Sequence, residues 1–215
     1  MALLREQRIL TDDEIIGIIL KYIDEDIYNY AIMIDGEWGC GKTYFVKENL
    51  IEKIKRHEEQ KTAKTKEYKA RQVIYISLYG IKSTDEISRQ IMMQSCLEKV
   101  DKKEKKEIIQ TGSKLMGAAL TLLSSLGIDL NVNDFTNKLT DLLPLKNTML
   151  IFDDLERCDC PINEILGYIN SFIEQDGLKV ILVANQKEIG RSTYQVNQEL
   201  KYLVAANPTI KFIIA

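Results

Sequence analysis

The chain has a single histidine, His57, and it lies in a charged run, His57-Glu-Glu-Gln-Lys-Thr-Ala-Lys-Thr-Lys-Glu-Tyr-Lys-Ala70. Mechanisms that need a catalytic histidine are thereby excluded. That run has no apolar stripe and reads as a solvated helix end plus loop. Cysteine is sparse too. Of Cys40, Cys96, Cys158 and Cys160 only the last two are close, and they lack the paired partners of a zinc ribbon. No excess of positive charge exists either: 29 Lys and Arg against 32 Asp and Glu leave a net charge of −3, so nucleic-acid binding would need a local patch. The start, Met1-Ala-Leu-Leu-Arg-Glu, is too charged and too short in its apolar part for a signal peptide, so a cytoplasmic chain is expected. What is left, 215 residues that are 45% apolar and 28% charged, can bury one sizeable core. A single α/β domain with a small insertion is expected.

The most informative stretch is Ala31-Ile-Met-Ile-Asp-Gly-Glu-Trp-Gly-Cys-Gly-Lys-Thr43, which has the full G-x-x-x-x-G-K-[ST] spacing. Four apolar residues before it read as a buried strand, and Phe45, Val46, Leu50 and Ile54 after it form a helical stripe. Gly36 and Gly41 let the backbone curl so that its N–H groups point inward, Lys42 reaches the β- and γ-phosphates, and the Thr43 hydroxyl can ligate Mg²⁺. The helix starting near Lys42 adds its positive N-terminal pole. The cofactor-binding set is therefore Gly36, Glu37, Trp38, Gly39, Cys40, Gly41, Lys42, Thr43 and Tyr44, with ATP and Mg²⁺ as ligands. Cys40 reads as a small residue in the loop.

Upstream, Thr11-Asp-Asp-Glu14 is a capping box, and Ile15, Ile19, Tyr22 and Ile23 follow at helical spacing, predicting a helix over about 12–29. The segment Arg8-Ile-Leu-Thr11 either packs in the core, the simpler reading, or covers an adenine as in many AAA+ ATPases. Downstream, Val73-Ile-Tyr-Ile-Ser-Leu78 is a second strand closed by Gly80, and Ser83-Thr-Asp-Glu86 opens a helix to about Lys99.

From Ile109 to Ile128 there is one charge, Lys114. Leu115, Ala119, Leu122 and Leu126 form one stripe, while Lys114, Thr121 and Ser125 form another. A bilayer span has no need of a polar face, so a folded helical insertion, recoverable without detergent, is the favoured reading, ahead of partner-helix or interfacial packing. A short helix at about 134–143 ends at Pro144.

Thr148-Met-Leu-Ile-Phe-Asp-Asp-Leu-Glu-Arg157 is the second chemical motif, a buried strand delivering two acids at its C-terminal end, where open α/β sheets bind ligands. Asp153 fits the Walker B carboxylate of the Mg²⁺ shell, and Asp154 the acid that polarises an attacking water. Pro161 starts a helix with Ile162, Ile165, Leu166, Ile169, Phe172 and Ile173 in core period and Gly177 at its end. Leu178 to Ala184 is the fourth strand. Asn185 at its tip is either a γ-phosphate sensor or a turn-forming Asn. Asn185-Gln-Lys-Glu188 is not an Asn-Lys-x-Asp guanine reader, which argues against GTP. Ile210 to Ile214 is a candidate fifth strand, and the little chain after it leads to the expectation of a core fragment.

Together Gly36 to Thr43, with Trp two residues after the first Gly, and Ile-Phe-Asp-Asp-Leu-Glu-Arg-Cys (Ile151 to Cys158) resemble the KAP family of P-loop NTPases. Tyr75-Ile-Ser-Leu-Tyr-Gly80 and the strand ending at Asn185 extend the likeness over about residues 12–190. Family members usually carry Asp where this chain has Glu156, and many have a clearer membrane hairpin between the Walker motifs.

The resemblance implies an assembling ATPase, with bacterial phage exclusion among the family's roles. The expectation is an α/β additional-strand P-loop NTPase (AAA+/STAND-like) spanning 1–215, its parallel sheet flanked by helices and an α-helical insertion at about 100–145. It would be a Mg²⁺-dependent ATPase working as a switch or assembly motor, with Lys42, Asp154 and Asn185 as catalytic residues and Thr43 and Asp153 on the metal. Self-association or a protein partner is expected, membrane attachment is not, and the alternatives are a non-hydrolysing interaction module or a small-molecule kinase. Arg157 and Arg191 are candidates for an arginine finger, with one supplied by a neighbouring subunit preferred.

Overall fold

The computed structural model of the chain describes residues 9–25, 29–97, 145, 147–174, 176–189 and 210–214. The segment expected to form the helical insertion, the helix expected at 134–143, and Arg191 lie outside them.

Five parallel strands make one sheet: β1 (Ala31–Asp35), β2 (Gln72–Ser77), β3 (Thr148–Asp153), β4 (Lys179–Ala184) and β5 (Ile210–Ile214), in the order β2-β3-β4-β1-β5. β4 is therefore inserted between the two strands that carry the Gly-rich loop and the paired acids, which is the additional-strand arrangement. Every residue of β3 and β4 is buried, as expected of parallel strands covered on both faces.

The strands' two-residue period divides the core. Ala31, Met33, Leu150, Phe152, Val180 and Leu182 face the helices Thr84–Leu97 and Ile162–Glu174, which contribute Ile87, Ile91, Ile165, Ile169 and Phe172. On the other face Ile32, Ile34, Met149, Ile151, Ile181 and Val183 meet Ile15, Ile19 and Ile23 of the helix Asp12–Asp24, with Val46, Leu50 and Ile54. These last three belong to the helix after the Gly-rich loop, which begins at Lys42–Tyr44, widens into a π-helical turn over Phe45–Leu50 and continues as Ile51–Lys64.

The capping box at Thr11 forms as expected, with the Glu14 carboxylate accepting the Thr11 N–H at 3.0 Å and Thr11 Oγ1 accepting the Glu14 N–H at 3.4 Å. That helix ends at Asp24, short of residue 29. Asp24 pairs with His57 Nε2 (2.9 Å) and Lys61 Nζ (2.8 Å), and the Tyr22 hydroxyl donates to the Tyr30 carbonyl at 2.6 Å, which ties the helix end to the approach to β1. At the helix Thr84–Leu97 the Glu86 carboxylate accepts the Lys82 N–H at 3.2 Å, so the reach-back goes one residue further than a Ser83 capping box.

The charged run after Ile54 departs most from expectation. Helix continues to Lys64, and Glu58, only 1% exposed, gives that stretch a buried face. Its carboxylate accepts the Tyr68 hydroxyl (2.7 Å), the Arg71 N–H (2.7 Å) and the Arg71 guanidinium (3.2 Å), folding the connection back toward β2. Periodicity missed it because a fully paired carboxylate occupies the position where an apolar side chain would signal burial. Glu58→Ala should destabilise the chain by about 3 kcal/mol, the scale for leaving one half of a buried pair uncompensated. Urea unfolding with an unchanged slope and an unchanged midpoint would contradict this.

His57 stands about 20 Å along the helix from Lys42 at 1.5 Å per residue, in keeping with a structural role. Among the described residues no helix is long and apolar enough to cross a membrane.

Candidate functional site

Three neighbouring strands bring the two motifs to one edge of the sheet. Asp35 pairs with Ala184, and the Gly36 N–H extends that ladder to the Ala184 carbonyl at 3.2 Å. Phe152 pairs with Leu182, so Asp153 and Asp154 emerge level with the end of β4. At the usual strand spacing the Gly-rich loop and the acids stand about 10 Å apart, a gap that a triphosphate spans. This is the carboxyl edge at which open α/β sheets bind ligands.

The loop 36–43 is largely exposed and owes its shape to its glycines. Gly39 (φ 82°) and Gly41 (φ 94°) are left-handed, and an added Cβ would meet nothing within 4 Å at either, so backbone conformation rather than crowding requires glycine there. Gly41 is the N-cap and supplies no side chain, which leaves the first N–H groups of a long helix without a side-chain cap, a ready site for anionic oxygens. Lys42 Nζ donates to the carbonyls of Gly36 (2.6 Å) and Glu37 (3.1 Å), so its ammonium lies over the concave side of the loop. Thr43 is partly buried at the helix start, whereas Glu37, Trp38, Cys40 and Tyr44 are exposed. Glu37 pairs with Lys187 at 2.7 Å, and that hydrogen bond holds its carboxyl below the usual range, but both partners are solvated and the pair is worth little.

On β3 the Asp153 carboxylate is 2% exposed, with Oδ1 accepting the Asp154 N–H (2.7 Å) and Oδ2 the Tyr75 hydroxyl (2.7 Å). Burial, and then the carboxylate it bonds, push the Tyr75 phenol far above its usual value, so it stays a donor. Asp154 has φ 60° and ψ 37°, a left-handed conformation that Asp tolerates better than most residues and that tends to mark functional sites. Its Oδ2 accepts the Ser77 hydroxyl at 2.9 Å, and its Oδ1 lies 3.7 Å from Arg157 Nη1. Tyr75 and Ser77, alternate residues of β2, thus hold one acid each. Both stand in the stretch Tyr75 to Gly80, and the sequence signal that would have singled them out is two hydroxyls on the same face of a strand end beside the paired acids.

Asn185 is 5% exposed and its Oδ1 accepts the Lys187 N–H at 3.1 Å, the geometry of an Asx turn. That is the turn-forming alternative, and the same turn lets the Gln186 N–H reach Asp35 Oδ1 at 2.8 Å. The remaining contact joins the motifs directly: Trp38 Nε1 donates to Glu156 Oε1 at 2.9 Å, and the Arg157 guanidinium lies 4.8 Å from the Tyr79 ring and 6.0 Å from the Trp38 ring.

The sequence profile of the KAP family P-loop domain matches residues 13–207. The chain belongs to the KAP family. Curated proteins contain no match to it. Membership accounts for the P-loop fold and gives this KAP domain its general role, nucleotide binding. Among the described residues no group of three His, Cys, Asp or Glu side chains could hold a metal alone. The KAP site instead offers the Thr43 hydroxyl and the Asp153 carboxylate, two hard oxygen donors at one edge, which suits Mg²⁺ shared with phosphates.

Proposed function

We propose that the chain binds Mg·ATP at the carboxyl edge of β1, β4 and β3 and hydrolyses it as a nucleotide-driven switch or assembly motor. Convergence of the Gly-rich loop and the two acids across one intervening strand carries this reading. Lys42 and the loop amides of residues 36–44 bind the phosphates. Thr43 and Asp153 hold Mg²⁺, which neutralises developing phosphate charge when bound. Asp153 keeps capacity for that task because a carboxylate accepts about four hydrogen bonds and two come from the described residues. Asp154 accepts the proton of the attacking water, and the amide nitrogen of Asn185 donates to the γ-phosphate.

Ser77 and Arg157 both engage Asp154, which favours a base that is restrained until the site rearranges. The same observation supports the second reading, a non-hydrolysing, nucleotide-dependent interaction module. Arg157 rests on Asp154 and the Tyr79 ring, which favours a neighbouring subunit as the source of an arginine finger, with self-association as the assembly that would supply it. We take 1–215 as one P-loop core, working in the cytoplasm. Antiphage defence is the proposed setting on family likeness alone.

Single-turnover hydrolysis measured at several protein concentrations tests this. Specific activity should rise over about a hundredfold range if the finger comes in trans. Activity independent of concentration and lost in Arg157→Ala would place the finger in cis, while binding without turnover at every concentration would select the interaction module.

A further inference from the structure

We propose that Glu156 is a positioning residue of the nucleotide site that fixes the tip of the phosphate loop through Trp38. The proposal rests on reading residues 36–43 as that loop. Glu156 belongs to the 3-10 turn Leu155–Arg157 and is 8% exposed. Its Oε1 accepts the Trp38 indole N–H, and its Oε2 has no hydrogen-bond partner among the described residues. A buried carboxylate served by one neutral donor is poorly compensated, and such groups call for a reason other than stability.

Trp38 supplies the reason. An indole has one donor, so a single bond from it fixes the direction of the ring. The ring also has the Arg157 guanidinium 6.0 Å from its centre, which holds it from a second direction. The turn gripping Trp38 begins at Asp154, and Arg157 Nη1 lies 3.7 Å from Asp154 Oδ1. One turn therefore ties loop residue 38, through a hydrogen bond that spans 118 residues of sequence to Glu156, to the acid placed at the water. Glutamate reaches one methylene further than aspartate, so Glu156→Asp withdraws the acceptor while keeping its charge.

Trp38 is the chain's one tryptophan, so tryptophan emission comes from this ring alone. In the nucleotide-free full chain, Glu156→Leu should raise acrylamide quenching of Trp38 and shift its emission, whereas Glu156→Gln, which retains an acceptor, should stay close to the parent. In Mg·ATP calorimetry, Trp38→Phe and Glu156→Leu should each weaken affinity about tenfold, the scale of one hydrogen bond to a charged group, and the double variant should lose no more than either single one. If Glu156→Leu does not fold, Glu156→Asp replaces it in both measurements. Equal quenching in variant and parent, or additive losses, would overturn the proposal. A parent that binds no Mg·ATP would remove the nucleotide reading instead, and the quenching comparison would still decide whether Glu156 holds Trp38.

Discussion

Lys42→Ala should abolish nucleotide binding, weakening it by at least about a hundredfold, because charge-assisted hydrogen bonds contribute roughly 1.5–3 kcal/mol each and Lys42 can make more than one to the phosphates. Its ammonium already lies over the loop, 2.6 Å from the Gly36 carbonyl and 3.1 Å from that of Glu37, so little reorganisation separates it from a phosphate. Deleting it removes the one cationic side chain of the loop 36–43 and leaves the phosphates to the backbone dipoles and Mg²⁺. The fold should survive, since Lys42 is not part of either core cluster. Calorimetry that returned the parent affinity, alongside an unchanged melting temperature, would rule out the phosphate cradle.

Asp154→Asn should leave Mg·ATP affinity nearly intact and lower turnover by roughly 10²-fold or more, the usual scale for removing a positioned base. Asparagine suits this position. It tolerates the left-handed conformation of Asp154, and its amide oxygen can still accept the Ser77 hydroxyl. The loss would therefore be chemical rather than structural. Asp153→Asn should instead weaken Mg²⁺ binding, because Asp153 ends the strand as the buried member of the pair. Equal turnover in Asp154→Asn and parent would move the base to another residue.

Strands and motif ends were legible because parallel sheets demand continuous apolar runs, and Ala31–Asp35, Thr148–Asp153 and Lys179–Ala184 supply them. The loop 36–43 was legible because its glycines are a backbone requirement visible in one residue type. Polar contacts between distant segments left no such trace. Glu58 is buried by Tyr68 and Arg71, Asp153 and Asp154 are held by Tyr75 and Ser77, and Trp38 is held by Glu156. Each depends on a pairing that exists only once the sheet has assembled, and no local period announces it. The early end of the first helix is of the same kind, since Asp24 is claimed by His57 and Lys61 from another helix.

The central claim is that the Gly-rich loop on β1 and the acids on β3 form one Mg·ATP site. Calorimetric titration of the full chain with ATP, with and without Mg²⁺, tests it most directly. One-to-one saturable binding that weakens when Mg²⁺ is withheld is the result expected; no saturable heat at millimolar ATP, or an affinity indifferent to Mg²⁺, would contradict it.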